Sequence, residues 1–77
     1  MESEPIEVHL AQRLRQIRAK SLMSPEQFGQ EMGVIRQTIQ KYENGSRIPT
    51  APFYQKLRET FNINLNWLFT GSGKMSE

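Results

Sequence analysis

The run Arg36-Gln37-Thr38-Ile39-Gln40-Lys41-Tyr42-Glu43 carries the side chains of this chain best suited to recognition chemistry. At 100° per residue, Arg36, Gln37, Gln40 and Lys41 fall within about 140° of arc, and Thr38, Ile39, Tyr42 and Glu43 take the remainder. One side of such a helix packs and the other presents donors. Arg and Lys can donate to O6 and N7 of guanine, Gln can pair bidentately with N6 and N7 of adenine, and a helix fits the major groove of DNA. Any solvated helix is polar on its outer side, so this arc acquires meaning only from the elements that hold it.

Other chemistries are poorly provided for. The 77 residues contain no cysteine, no aspartate and one histidine, which excludes a disulfide framework, a thiol nucleophile and a thiolate metal site, and leaves too few ligands for zinc. No Gly-rich phosphate loop is present; Glu26 and Glu31 read as helix-surface charges, and His9 as a solvated helix residue. The chain is therefore not expected to be an enzyme or to hold a metal or cofactor.

Charge is unevenly distributed. The formal net charge is +2, yet Glu2, Glu4 and Glu7 crowd the first seven residues and Glu77 is the last. Residues 8 to 74 hold ten Lys and Arg against four Glu, a balance of six positive charges, as a polyanion binder requires. The start, Met1-Glu2-Ser3-Glu4, is unlike a signal peptide and no apolar run approaches membrane-spanning length, so a soluble cytoplasmic protein is expected.

Stepping outward along the chain, residues 1–6 read as a disordered acidic leader, residues 7–71 as one folded domain and residues 72–77 as a flexible tail. So short a chain has too little core for two domains or a sheet-rich fold, which points to all-α packing. Leu10, Leu14 and Ile17 recur at helical spacing over about 7–21. Ser24, Pro25 and Gln27 mark the start of a second helix through a capping box with Pro at the first helical position, and that helix buries Phe28 and Met32. Gly33 supplies the left-handed residue that ends it. A third helix runs from about Arg36 to Glu43 and stops at Asn44-Gly45; the intervening turn of about three residues implies a steep crossing. Thr50 is expected to cap a fourth helix carrying Phe53, Leu57 and Phe61, and Asn64 a short fifth one with Leu65, Leu68 and Trp67.

A capped helix, a glycine turn and a second helix hold the polar arc outward from a rigid pair, a far more specific arrangement than the arc alone. Arg18 lies four residues after Leu14 and Glu43 four after Ile39, each beside the apolar stripe of its helix, so a pair at the contact of the first and third helices is expected. Two unrelated surface charges would fit the same spacing.

With these elements placed, the chain resembles the Cro/CI-type helix-turn-helix domain of the Xre family, found in phage repressors and many bacterial regulators. The likeness covers about residues 8 to 71 and is carried by "RLRQIRAKSLMSPEQFGQEMGV", by "TIQKYENG" followed by Pro49, and by "NINLNWLFTGSG". It implies a compact five-helix, lambda-repressor-like domain, usually dimeric, that binds pseudo-palindromic double-stranded DNA operators. It further implies base reading by Arg36, Gln37 and Lys41 with Gln40 as neighbour. Phosphate contacts fall on Ser24, Gln27, Thr38, Asn44 and Arg47, and a buried ion pair on Arg18 and Glu43. Three positions depart from the family: Gly29 replaces the usual Ala, Ile35 replaces the usual Ser or Thr, and Pro25 replaces a common Gln. Glycine inside a helix costs about 1 kcal/mol relative to Ala, which would soften the second helix, and Ile35, unable to cap the third, either touches a thymine methyl or packs, of which packing is expected. Phage repressors of this kind often continue after "WLFTGSG" into a linker and a peptidase domain; this chain is thus either a stand-alone Cro-like regulator or a fragment.

Two functions follow. The first is a sequence-specific regulator, expected to be a repressor, acting as a homodimer on DNA in the bacterial nucleoid. The second is an antitoxin-like or adaptor module whose fourth and fifth helices grip a protein partner. Leu65, Trp67 and Phe69 would form the dimer or partner surface, although the same residues could simply complete the core.

Overall fold

A computed structural model of the chain describes residues 6–77, with side chains from residue 8 onward. The acidic leader falls outside the described residues except for Ile6, which is already helical. Five helices follow in order: α1 (Ile6–Ser21), α2 (Pro25–Met32), α3 (Arg36–Glu43), α4 (Ala51–Phe61) and α5 (Leu65–Thr70).

Each helix contributes an apolar stripe to one shared core. Leu10, Leu14 and Ile17 of α1 meet Phe28 and Met32 of α2, Ile39 and Tyr42 of α3, Phe53 and Leu57 of α4, and Trp67 and Leu68 of α5. Fully burying one such side chain contributes about 1.5–3 kcal/mol, and here the helix periodicity delivers them to a single interior. Aromatic rings tie three elements together at its centre. Phe28 stacks on Phe61 at 5.5 Å between centroids, while Phe53 makes T-shaped contacts with Phe28 and Tyr42 at 6.5 and 4.8 Å, the geometries that ring quadrupoles favour.

Helix ends are set by local chemistry. The Ser24 hydroxyl accepts from the Gln27 amide at 3.1 Å and the Gln27 side chain accepts from the Ser24 amide at 2.9 Å, so two of α2's orphan donors are satisfied reciprocally. Gly33 leaves α2 at φ 74°. Asn64 caps α5 by accepting from the amides of Asn66 and Trp67. Thr50 occupies the cap position of α4 but makes no side-chain cap bond, contrary to expectation; Pro52 in the first turn removes one donor and presets the backbone there.

Residues 72–77 differ most from the sequence reading. Rather than forming a flexible tail, they return across the α4–α5 junction. The Asn64 amide donates to the Met75 carbonyl at 2.8 Å, the Glu77 amide to the Asn62 carbonyl at 3.0 Å, and Ile63 pairs with Ser76 in an antiparallel bridge. Met75 packs against the core near Ile63. Six residues with a single methionine give no periodic signal, because the backbone partners that hold this segment lie eleven to fifteen positions away. His9 is partly buried rather than solvated.

Candidate nucleic-acid interface

The site is built on α2, its turn and α3. Ile39, Tyr42 and Glu43 are buried, which fixes the rotation of α3 about its axis. Arg36, Gln37, Gln40 and Lys41 consequently face solvent, and Thr38 sits partly buried at the edge of the arc. The wheel and the packing therefore select the same outward face.

Gly29 sets how closely the turn approaches. A Cβ there would lie 2.6 Å from the Val34 carbonyl oxygen and 3.4 Å from the Ile35 carbonyl carbon, a contact that only a side-chain-free residue allows. The Val34 amide in turn donates to the Gly29 carbonyl at 2.9 Å. The glycine read from sequence as a softening of α2 is instead where the start of α3 presses onto it.

Beyond α3 the chain folds back on the helix end. Ser46 and Arg47 donate their amides to the Lys41 carbonyl at 3.1 and 3.3 Å, and the Asn44 side chain accepts from the Ser46 amide at 2.9 Å. Such local bonds satisfy the carbonyls a helix terminus leaves open. They also hold Arg47, which is exposed, beside the last turn of α3. Ser24, Gln27 and Asn44 are exposed as well, although the first two already use their side chains in the capping box.

Between the outer faces of α2 and α3 lies an open cleft of about 530 Å³, lined by Glu26, Gln30, Val34, Ile35, Arg36 and Gln37. Gln30 is a member of this surface that sequence reasoning left unassigned, and Glu26, read from sequence as a plain helix-surface charge, is another. Ile35 was expected to pack; it is 66% exposed, because its backbone stands at the cap position of α3 and directs the side chain away from the core. Glu26 and Gln30 lie one helical turn apart, the spacing that puts both on one side of α2.

Behind the site, Arg18 and Glu43 form a two-pronged pair. Arg18 Nε donates to Glu43 Oε2 at 2.7 Å and Nη2 to Oε1 at 2.9 Å, while Nη1 donates to the Met23 carbonyl at 3.1 Å. The hydrogen bonds that Arg18 donates to Glu43 raise its pKa, burial opposes this, and the neighbouring carboxylate charge adds to the rise. The fork links α1, the start of the α1–α2 turn and α3, so the rear of the reading helix is held by a geometry that only a planar guanidinium provides. Among the described residues no buried side-chain polar atom lacks a partner, and none form a group of three or more His, Cys, Asp or Glu able to hold a metal.

The surface of α4 and α5 is less apolar than its sequence suggests. Trp67 is only 9% exposed and belongs to the core, Leu65 packs partly against it, and Phe69 is 39% exposed. Phe69 stands edge-on to Tyr54 at 4.9 Å, whose phenol pKa is raised first by burial and then by the nearby Tyr42. Trp67 is thus withdrawn from the surface on which Leu65 and Phe69 remain. No helix among the described residues is long and apolar enough to cross a membrane.

A capped α2, a three-residue turn closed by glycine, and an α3 with one locked and one exposed face define a helix-turn-helix domain within a five-helix all-α fold. A helix-turn-helix family model matches residues 14–68, and the chain belongs to this family, of the Cro/CI or Xre type. It is 34% identical over 65 residues to an uncharacterized HTH-type transcriptional regulator of Sinorhizobium medicae, covering 84% of this chain and 47% of that protein. A similarly named protein of Archaeoglobus fulgidus is 35% identical over 57 residues, covering 74% of this chain and 81% of the relative. The chain spans about half the length of the rhizobial relatives it matches. No solved structure matches it.

Proposed function

We propose that the protein is a sequence-specific DNA-binding transcriptional regulator that represses by occupying a pseudo-palindromic operator as a homodimer. The observation that carries this reading is the exposed arc of Arg36, Gln37, Gln40 and Lys41 on a helix whose opposite side is buried and pinned by the Arg18–Glu43 fork. That arc enters the major groove, Arg36 and Lys41 donate to guanine, and Gln37 and Gln40 pair with adenine. Ser24, Gln27, Thr38, Asn44 and Arg47 face the flanking phosphates, supplying most of the affinity and its salt dependence. Leu65 and Phe69 carry the contact between protomers, which sets half-sites about one helical turn apart. The protein works in the cytoplasm, at the bacterial nucleoid. The names of the relatives, HTH-type transcriptional regulators, support the reading of a DNA-binding regulator.

Selection from random duplex DNA tests it. The wild type should enrich an inverted repeat, and Arg36→Ala with Gln37→Ala should lose preference for that repeat while retaining weak, salt-sensitive binding. Each lost bidentate contact is worth about 1–3 kcal/mol of discrimination, or roughly tenfold to a hundredfold. If neither protein prefers any sequence, α3 does not read bases.

A further inference from the structure

Ile35 is the apolar residue of the candidate interface that the fold leaves unexplained. It occupies the cap position of α3 without a side-chain hydrogen bond, whereas Ser24 and Asn64 cap α2 and α5. Ser, Thr, Asp or Asn at a cap satisfies an amide that an isoleucine leaves open, so the residue forgoes local stabilisation. Nor does it serve the core, being 66% exposed while its neighbour Ile39 is 1% exposed. What it lines is the cleft between α2 and α3, beside Arg36 and Gln37.

Gly29 fixes this position. The Ile35 carbonyl carbon lies where a Cβ on residue 29 would be in van der Waals contact, and Val34 is bonded to the Gly29 carbonyl, so the Ile35 backbone is braced against α2 while its side chain reaches outward. In the major groove every hydrogen-bonding edge calls for a polar side chain; the C5-methyl of thymine is the group that calls for an apolar one.

We propose that Ile35 is a specificity-determining residue that reads a pyrimidine C5-methyl, that of thymine, at the base step next to those facing Arg36 and Gln37. The proposal rests on the DNA-binding reading given above. The flanking donors fix the register, and Ile35 adds a preference that hydrogen bonds cannot express, because thymine and uracil present the same O4 acceptor and differ only in the methyl group. Glu26 and Gln30, on the opposite wall of the cleft, leave Ile35 and the partly buried Val34 as its apolar members.

The test uses the full chain and the duplex enriched by the wild type, in which each thymine is replaced in turn by deoxyuridine. One thymine per half-site should show a loss of about fourfold, the worth of one methyl group removed from water, and of about fifteenfold when both half-sites are substituted. With Ile35→Ala the same replacement should cost less than about 1.5-fold, while replacements elsewhere affect both proteins alike. Because Ile35 is exposed, the variant should melt within a few degrees of the wild type, which separates loss of reading from loss of fold. Offering the position as cytosine and as 5-methylcytosine distinguishes the two natural sources of the methyl: a gain from methylation in the wild type alone extends the reading to both, and no gain restricts it to thymine. A uracil penalty that persists unchanged in Ile35→Ala, or no penalty at any thymine, overturns the assignment of Ile35 while leaving DNA reading by α3 intact. Failure to enrich any sequence overturns both.

Discussion

The Arg18–Glu43 fork gives the sharpest energetic prediction, because its two members are unequally buried. The Arg18 side chain is 24% exposed and that of Glu43 9%. Breaking a fully buried pair costs about 3–5 kcal/mol, while an exposed pair contributes about 0–1 kcal/mol. Arg18→Met strands the carboxylate, the more deeply buried charge, and should cost about 3 kcal/mol. Glu43→Leu strands a guanidinium that keeps its bond to the Met23 carbonyl and reaches water, so about 2 kcal/mol is expected, the buried figure discounted for exposure. The double variant, Met and Leu in place of the pair, leaves no charge behind and should cost about 0–1 kcal/mol rather than the about 5 kcal/mol of independent effects. Urea unfolding followed by circular dichroism, with the slope unchanged, reads these values. In a domain of this size Arg18→Met should lower Tm by roughly 10–25 °C. Additive single effects, or single effects below about 0.5 kcal/mol as for an exposed pair, would refute the reasoning. The sign with pH is also fixed. The Arg18 pKa is raised by its bond to Glu43, so its contribution is fully present below the ordinary arginine range and is lost only as pH rises through the higher folded value; at neutral pH it is complete.

Two further substitutions separate conformational from packing effects. Gly29→Ala gains about 1 kcal/mol of helix propensity but sets a methyl 2.6 Å from a backbone oxygen. Since crowding a packed interior costs about 1–3 kcal/mol, a net loss of stability is expected, and chemical denaturation showing a gain would mean the turn yields freely. Leu22 is left-handed at φ 59° and 90% exposed, so Leu22→Gly relieves about 1–2 kcal/mol of backbone strain. The greater freedom of glycine in the unfolded chain offsets part of this, leaving a net gain of about 0.5–1 kcal/mol; a lower Tm than wild type would show that the leucine side chain packs after all.

What the sequence determined by itself is what local chemistry encodes. Helix periodicity marks Leu14, Phe28, Ile39 and Leu57 for the core, and each is buried. Ser24 and Gln27 announce the start of α2, and Gly33 its end, because a capping box and a left-handed residue involve partners no more than four positions apart. The polar face of α3 was legible for the same reason: burial of Ile39 and Tyr42 fixes the helix rotation, and the wheel does the rest. Tertiary structure alone decided matters in which the partner is distant in sequence or the answer depends on space. Met75 finds Asn64 across the chain, and Trp67 turns inward while Phe69, two residues on, stays outside. Gly29 proves to be a point of close approach rather than a weak spot, since a sequence records the missing Cβ but not the carbonyl that would collide with it. Ile35 has the composition of a core residue, and only the direction its cap position imposes leaves it facing solvent.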